Sequence, residues 1–311
     1  GFTVWYSMTS ILDIYLLRLT VQLRKMGGCS LVLLIVLPFL ASPVVGEWSE
    51  DTWLANIIGP ERLENGDEFG CHGYEGISIS ENYWVIEGCK EYLMDSTNAS
   101  RWGKTPISFG IPGPTIDQLT ASQLISSGFM IVGDVLDGAP EGMISAHRNG
   151  GSLEKGVADT ALFESVDEDS LLSIYWRARI DDLRVREDKD AISWLERQDL
   201  WYTTWGEWNL HKSSSENTSL SVIGSEIHSF SESSDGAWSV PGTSLIQFDT
   251  DVSGVFDSNG DPYPVIPLES KKLQIGWRNV AGGILLTQHP GTNIIVQLSE
   301  TPESASIEPA I

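Results

Sequence analysis

The chain has 311 residues, a hydrophobic content of 41% and a formal net charge of −24. That length and apolar content suffice for a sizeable core, in one large domain or two smaller ones. So acidic a surface repels nucleic acid and anionic lipid and argues against both as partners, while suiting cationic ligands or divalent ions.

The N-terminal region determines the compartment. Leu31 to Ala41 is uninterruptedly apolar and follows Arg24 and Lys25. A membrane-crossing helix needs roughly 20 apolar residues, so this run has the length of a secretion signal. Small residues around Val44-Val45-Gly46 place cleavage after Gly46. The competing reading is an uncleaved anchor, weakened by Pro38 and Pro43. The first 46 residues hold one acid, Asp13, and three bases, Arg18, Arg24 and Lys25, so the acidity belongs to the chain from Glu47 onward. A start at Met8 keeps those bases ahead of the run. The expected location is extracellular or the cell surface, with membrane contact only through an uncleaved N-terminal segment.

Outside the signal two cysteines remain, Cys71 and Cys89. An even count in an oxidising compartment predicts a disulfide. Trp53 to Ile58 suggests a short helix ended by Gly59-Pro60. Ile77 to Ser80 alternates and Tyr83 to Ile86 is rich in strand formers, which reads as a hairpin clipped by the two cysteines. Asn98-Ala99-Ser100 is a glycosylation sequon. Ile107 to Gly110 reads as a strand, Thr115 as an N-cap with Gln118 at capping-box spacing, and Phe129 to Val132 as a buried strand. That order resembles a βαβ unit whose loop could hold an anion at the helix N-terminus. His147-Arg148, in a glycine-rich polar stretch, receives no site role.

Between Leu172 and Asp181 the residues alternate, which predicts a half-buried strand. Asp188 to Gln198 reads as a helix with Ile192 and Leu195 inward. Trp201, Trp205 and Trp208 follow, in a context of Thr203-Thr204 and Gly206 that favours strand and turn. Exposed tryptophans in an extracellular protein can stack on sugars and buried ones fill a core, so these three are candidate ligand-binding residues. Ser-rich Lys212 to Ser219 contains a second sequon at Asn217 and marks a boundary or long loop. Beyond it, apolar runs at Leu220–Ile223, Ser244–Phe248, Leu273–Trp277, Ile284–Leu286 and Ile294–Leu298 have the rhythm of an antiparallel sandwich. The acidic tail from Ser299 predicts disorder.

Asp249 to Asp261 resembles a single calcium loop of the thrombospondin type 3, dockerin or EF-hand kind. Those loops place oxygen ligands at alternate positions and a glycine at the sixth. The resemblance implies Ca²⁺ held by Asp249, Asp251, Ser253 and Asp257, with Asn259 or Asp261 completing the shell. Gly260 stands where the family has its acidic twelfth ligand, which implies a weak site. The same segment also reads as a turn at Asn259-Gly260.

The expected architecture is mainly β with minor α, antiparallel and sandwich-like, with α+β as the alternative. Residues 1–46 form the signal or anchor, 47–212 a disulfide-clipped β-rich domain with short helices, and 213–311 a β-rich region with an acidic tail. No HExxH, GxSxG, P-loop or CxxC motif is present. The expected function is binding or adhesion to a glycan or surface polymer, and the alternative is a secreted hydrolase using paired carboxylates.

Overall fold

A computed structural model of the chain describes residues 59–72, 77–153, 155–164, 170–175 and 188–310. The signal segment and Trp53 to Ile58 lie outside these residues. Among the described residues no helix is long and apolar enough to cross a membrane.

The first part is a parallel sheet. Helix α1 (Gly59–Asn65) begins where a helix was expected to end. Pro60 sits in its first turn, where a missing N–H breaks no intrahelical bond. Strand β1 (Cys71–His72) follows, then α2 (Trp84–Ser96). The expected hairpin is therefore absent: Tyr83 to Ile86 opens a helix. Val85, Ile86 and Leu93 are buried and Cys89 packs against the same cluster, a helical stripe that outweighs the local β-propensity. Cys71 and Cys89 are joined as expected, with Cα atoms 6.0 Å apart, and the bond ties β1 to α2.

Strands β2 (Ser108–Ile111), β3 (Ile131–Asp134) and β4 (Ile144–His147) complete a sheet ordered β1-β2-β3-β4, every pair parallel. Helix α3 (Gln118–Ser126) connects β2 to β3, so the expected βαβ unit is present. Its cap is Asp117, not Thr115: the carboxylate accepts from Thr120 N at 2.9 Å and from Thr120 Oγ1 at 2.8 Å. The helix N-terminus that could have held an anion is thus filled by the chain's own acid. One sheet face packs Phe109, Ile111 and Val132 with α2 and α3, and the other packs Ile107, Ile131 and Ala146 against Trp205 and Trp238. Strand β5 (Gly151–Ser152) pairs in parallel with β6 (Ile174–Tyr175). Of the predicted Leu172–Asp181 strand, Leu172 and Ser173 are described and are not strand, Ile174 and Tyr175 form β6, and 176–181 lie outside the described residues. Helix α4 (Thr160–Glu164) lies between, and α5 (Lys189–Arg197) follows within the predicted Asp188–Gln198 helix, with Asp188 as its cap.

Helix α6 (Trp205–Glu216) occupies both the predicted strand-and-turn and the predicted Ser-rich loop. Thr204 caps it. Its inward residues Glu207, His211 and Ser215 stand four apart but are polar, so an apolar period could not reveal them.

The second part is antiparallel. Strands β7 (Thr218–Ile223), β8 (Glu226–Ser231), β10 (Val252–Asp257) and β13 (Asn293–Leu298) form a sheet in the order β10-β13-β8-β7. Strands β9 (Gly242–Phe248), β11 (Gly276–Val280), β12 (Gly283–Gln288) and β14 (Ala305–Pro309) form the other, ordered β11-β12-β9-β14. Ile227, Ile246, Val255, Ile284, Leu286, Ile294, Val296 and Leu298 are the shared core. The tail expected to be disordered supplies β14, because Ala305 and Ile307 pack on that core and the strand pairs with β9. The protein is therefore mainly sheet with some helix, its antiparallel part preceded by a parallel unit. Trp238 fastens the two parts: it lies against Gly206 and Gly103, where a Cβ would collide with it, and its Nε1 donates to Thr105 O at 2.7 Å.

Candidate functional site

In open sheets of parallel strands, ligands bind at the carboxyl ends, where connecting loops leave a crevice. Here that edge ends in His72 on β1, Ile111 on β2, Asp134 on β3 and His147 on β4, with Arg148 next. Across the strands His72 lies in register with Gly110, which pairs with Gly133, which pairs with Ala146. A Cβ on Gly133 would meet the Ala146 carbonyl and the Trp205 ring, so Trp205 forms the floor of this row.

Asp134 is the centre of the group. It is 3% exposed, yet meets His72 Nε2 at 3.1 Å through Oδ2 and Arg148 Nε at 2.5 Å through Oδ1. The first contact has hydrogen-bond geometry; the second is an ion pair whose N–H is not aligned on the oxygen. Among the described residues Asp134 is the sole non-glycine with positive φ, at 77°. That backbone is sparsely populated for residues with a Cβ, and such outliers persist where the surroundings impose them. Strict alternation would send Asp134 to the face opposite His72; leaving the β region at the last residue ends that alternation, and the two side chains meet. His72 is 21% exposed, enough for a ligand to reach its ring. His147, in register with Asp134, is exposed and its Nδ1 lies 3.2 Å from Leu136 O.

An acidic pair lies at the opposite end of β2. Glu68 accepts from Ser108 Oγ at 2.5 Å and Gly206 N at 2.8 Å. Burial pushes its pKa up, against the pull of those donors, and neighbouring Glu207 adds to the rise. Glu207 accepts from Arg101 Nη2 at 2.8 Å, Trp102 Nε1 at 2.5 Å and Thr203 Oγ1 at 3.2 Å. Both acids are 1% exposed. Glycoside hydrolysis needs two carboxylates that reach a sugar, and these are sealed, tying α6 to the parallel sheet.

No protein-family model, curated protein or solved structure matches the chain. The site therefore stands on its own geometry.

The calcium candidates fall in two places: Asp257, Asn259 and Asp261 share one turn, and Asp249, Asp251 and Ser253 lie toward the other end of β10. Asp251 precedes β10 and Asp257 ends it, so an extended strand rising about 3.3 Å per residue separates them. Asp249 accepts from Glu303 N, Ser253 donates to Gln297 O, and Asp257 accepts from the backbone of Asn259 and Asp261 in a tight turn with Gly260 at φ +86°. The Asn259-Gly260 turn is the arrangement present, and among the described residues no group of three or more His, Cys, Asp or Glu is placed to hold a metal ion. Of the tryptophans, Trp205 is buried with Nε1 donating to Ser173 Oγ at 2.9 Å. Trp201 and Trp208 are partly buried and pack together, centroids 5.4 Å apart. The sequon residues Asn98 and Asn217 are both exposed.

Asp134 and Arg148 receive no site role from the sequence, and His72 is set aside there with the Cys71–Cys89 disulfide. The signal that could have found them is positional: once β2 and β3 are read as parallel, a charged residue closing an apolar strand, as in Ile131-Val132-Gly133-Asp134, falls on the ligand-binding edge.

Proposed function

We propose that the chain is an extracytoplasmic hydrolase acting on an ester or amide linkage of an extracellular polymer, with His72 as general base and Asp134 as the residue that orients it. One observation carries this reading: a buried aspartate joined to both a histidine and an arginine at the carboxyl edge of a parallel sheet. With Nε2–H donated to Asp134, neutral His72 is held in the tautomer whose Nδ1 is the proton acceptor. Nδ1 takes a proton from water as its oxygen adds to the carbonyl carbon, and the imidazolium so formed lies against the Asp134 carboxylate. The proton then passes to the leaving group. Arg148 offsets the charge of a carboxylate that would otherwise be costly to bury. The polymer and the compartment rest on the secretion-signal reading. Glu68 and Glu207, being sealed, are not offered as a paired-carboxylate centre.

The test is turnover of chromogenic acetyl esters, acetylated amino-sugar oligomers and aryl amides by the parent, His72→Ala and Asp134→Asn. Loss of a general base or its orienter costs about 10²–10⁴ in rate, with folding unchanged by circular dichroism. A parent inert on the whole panel, or a His72→Ala protein at full rate, overturns the reading.

A further inference from the structure

The strongest feature outside the parallel edge is a cleft of about 240 Å³ on the outer face of the β11-β12-β9 sheet. Its position follows from strand parity. Ile284 and Leu286 point into the sandwich core, so Leu285 and Thr287 point outward. Register puts Arg278 beside Leu285 and Thr243 beside Thr287, hence on the same face. Helix α6 and the segment before it cover this face with His211 and Trp201, and Lys272 closes one side.

Three properties make this more than a packing gap. First, Lys272 and Arg278 have no ion-pair partner among the described residues, in a chain of net charge −24. Both line this one cleft. Second, Trp201 Nε1 is buried without an acceptor, whereas a buried indole N–H ordinarily finds one. Third, Trp201 is braced from behind, its ring 4.8 Å from that of His211 and 5.4 Å from that of Trp208. His211 Nδ1 is in turn held by Pro241 O at 2.7 Å. Beside them the Thr243 and Thr287 hydroxyls bond to each other at 2.8 Å, leaving acceptor capacity toward the cleft.

We propose that this cleft binds a carboxylated sugar, with Arg278 and Lys272 on the carboxylate, Trp201 Nε1 donating to a ring or hydroxyl oxygen, and the threonine pair receiving a sugar hydroxyl. Arg presents a planar fork that matches a carboxylate with two parallel hydrogen bonds, and Lys a point charge. The volume is below the roughly 300–1,000 Å³ typical of drug-sized ligands, which suits a single sugar residue. The overall charge sets the same limit: an acidic surface repels a long polyanion, so the ligand is one acidic sugar or an oligosaccharide in which a lone acidic residue enters.

The test is a nuclear magnetic resonance titration of the full chain at low salt with glucuronate, galacturonate and N-acetylneuraminate, beside glucose, galactose, acetate and sulfate. At least one acidic sugar binds, at least tenfold tighter than any neutral sugar or simple anion, and added salt weakens it. Arg278→Gln weakens it at least tenfold. Trp201→Phe, which keeps the aromatic packing and deletes the N–H, weakens it several-fold and abolishes the shifted indole resonance. His72→Ala binds as the parent does, which separates this cleft from the hydrolytic reading. Equal binding of a neutral sugar overturns the role of the cations. Acetate or sulfate binding as tightly as the sugars makes the cleft a plain anion site and overturns the proposal, as does binding of none of the three acidic sugars.

Discussion

The parallel unit and the antiparallel sandwich solve the same problem, burying a sheet, with different consequences for where polar groups collect. Strands β2 and β3 are covered on both faces, so polar side chains are displaced to strand ends, and because all four strands run the same way those ends converge. His72, Asp134, His147 and Arg148 meet at one edge for that reason. In the sandwich, neighbouring strands run oppositely, and polar residues disperse along outer faces and turns. Asp249, Asp251 and Asp257 show the result: three acids close in sequence, with β10 between the first two and the third. Where the sandwich does gather function-bearing groups, at the Trp201 cleft, it needs α6 laid across an outer face.

The largest test of this contrast is the fastening between the halves. Glu207→Ala removes the acceptor shared by Arg101, Trp102 Nε1 and Thr203, leaving Arg101 only Leu273 O. Breaking such a pair costs about 3 kcal/mol, the low end of the range for buried pairs because Arg101 keeps some solvent. Ile246→Ala, a fully buried core residue in the sandwich, costs about 2–5 kcal/mol. With α6 packed against β9, each variant should shift one common transition in urea, followed by tryptophan fluorescence and circular dichroism. Two separated transitions would show that the halves are independent.

Next in size is the disulfide. Cys71→Ser with Cys89→Ser releases an 18-residue separation and costs about 3 kcal/mol in the chain-entropy model. Because the bond ties β1 to α2, hydrogen exchange should rise around His72 and leave β12 and β13 unchanged. Uniform loss of protection would erase the distinction between the two parts.

A smaller effect is expected from pH. Burial holds the pKa of His211 below the ordinary 6.5, against opposing hydrogen bonds to Pro241 and Ala310 and the Glu207 charge. Burial does the same for His289. Each thus takes up its proton at lower pH in the folded chain than in the unfolded one. Their contribution is therefore complete above pH 6.5 and is lost as pH falls through that value toward the depressed one. His211→Asn, which can keep a donor toward Pro241 O, should flatten the decline in urea midpoint between pH 7 and pH 5. An unchanged slope would mean that His211 does not titrate differently on folding. The smallest effect is calcium: at about 1 mM, within the range of weak extracellular sites, it should leave the melting temperature unchanged. A clear rise, lost in Asp249→Ala with Asp251→Ala, would mean that the β10 acids do converge on an ion.

Much of the sandwich was legible because its evidence is local. Alternation in Ile294 to Leu298 and Ser244 to Phe248 is the direct imprint of one buried face, and Asn259-Gly260 carries its own turn preference. The cysteine pairing followed from arithmetic, since two thiols allow one bond, and the β2–α3–β3 unit from a strand, a loop and an amphipathic helix in sequence. What only tertiary structure decided depends on partners far away along the chain. Tyr83 to Ile86 prefers strand locally but joins a helical stripe against Phe109 and Leu124. Glu207, His211 and Ser215 face inward because their partners lie in other segments, from Arg101 to Pro241, so no apolar period announces α6. Asp134 becomes the centre of a site because three other strands bring His72 and Arg148 to it, across sequence separations that no local pattern can span.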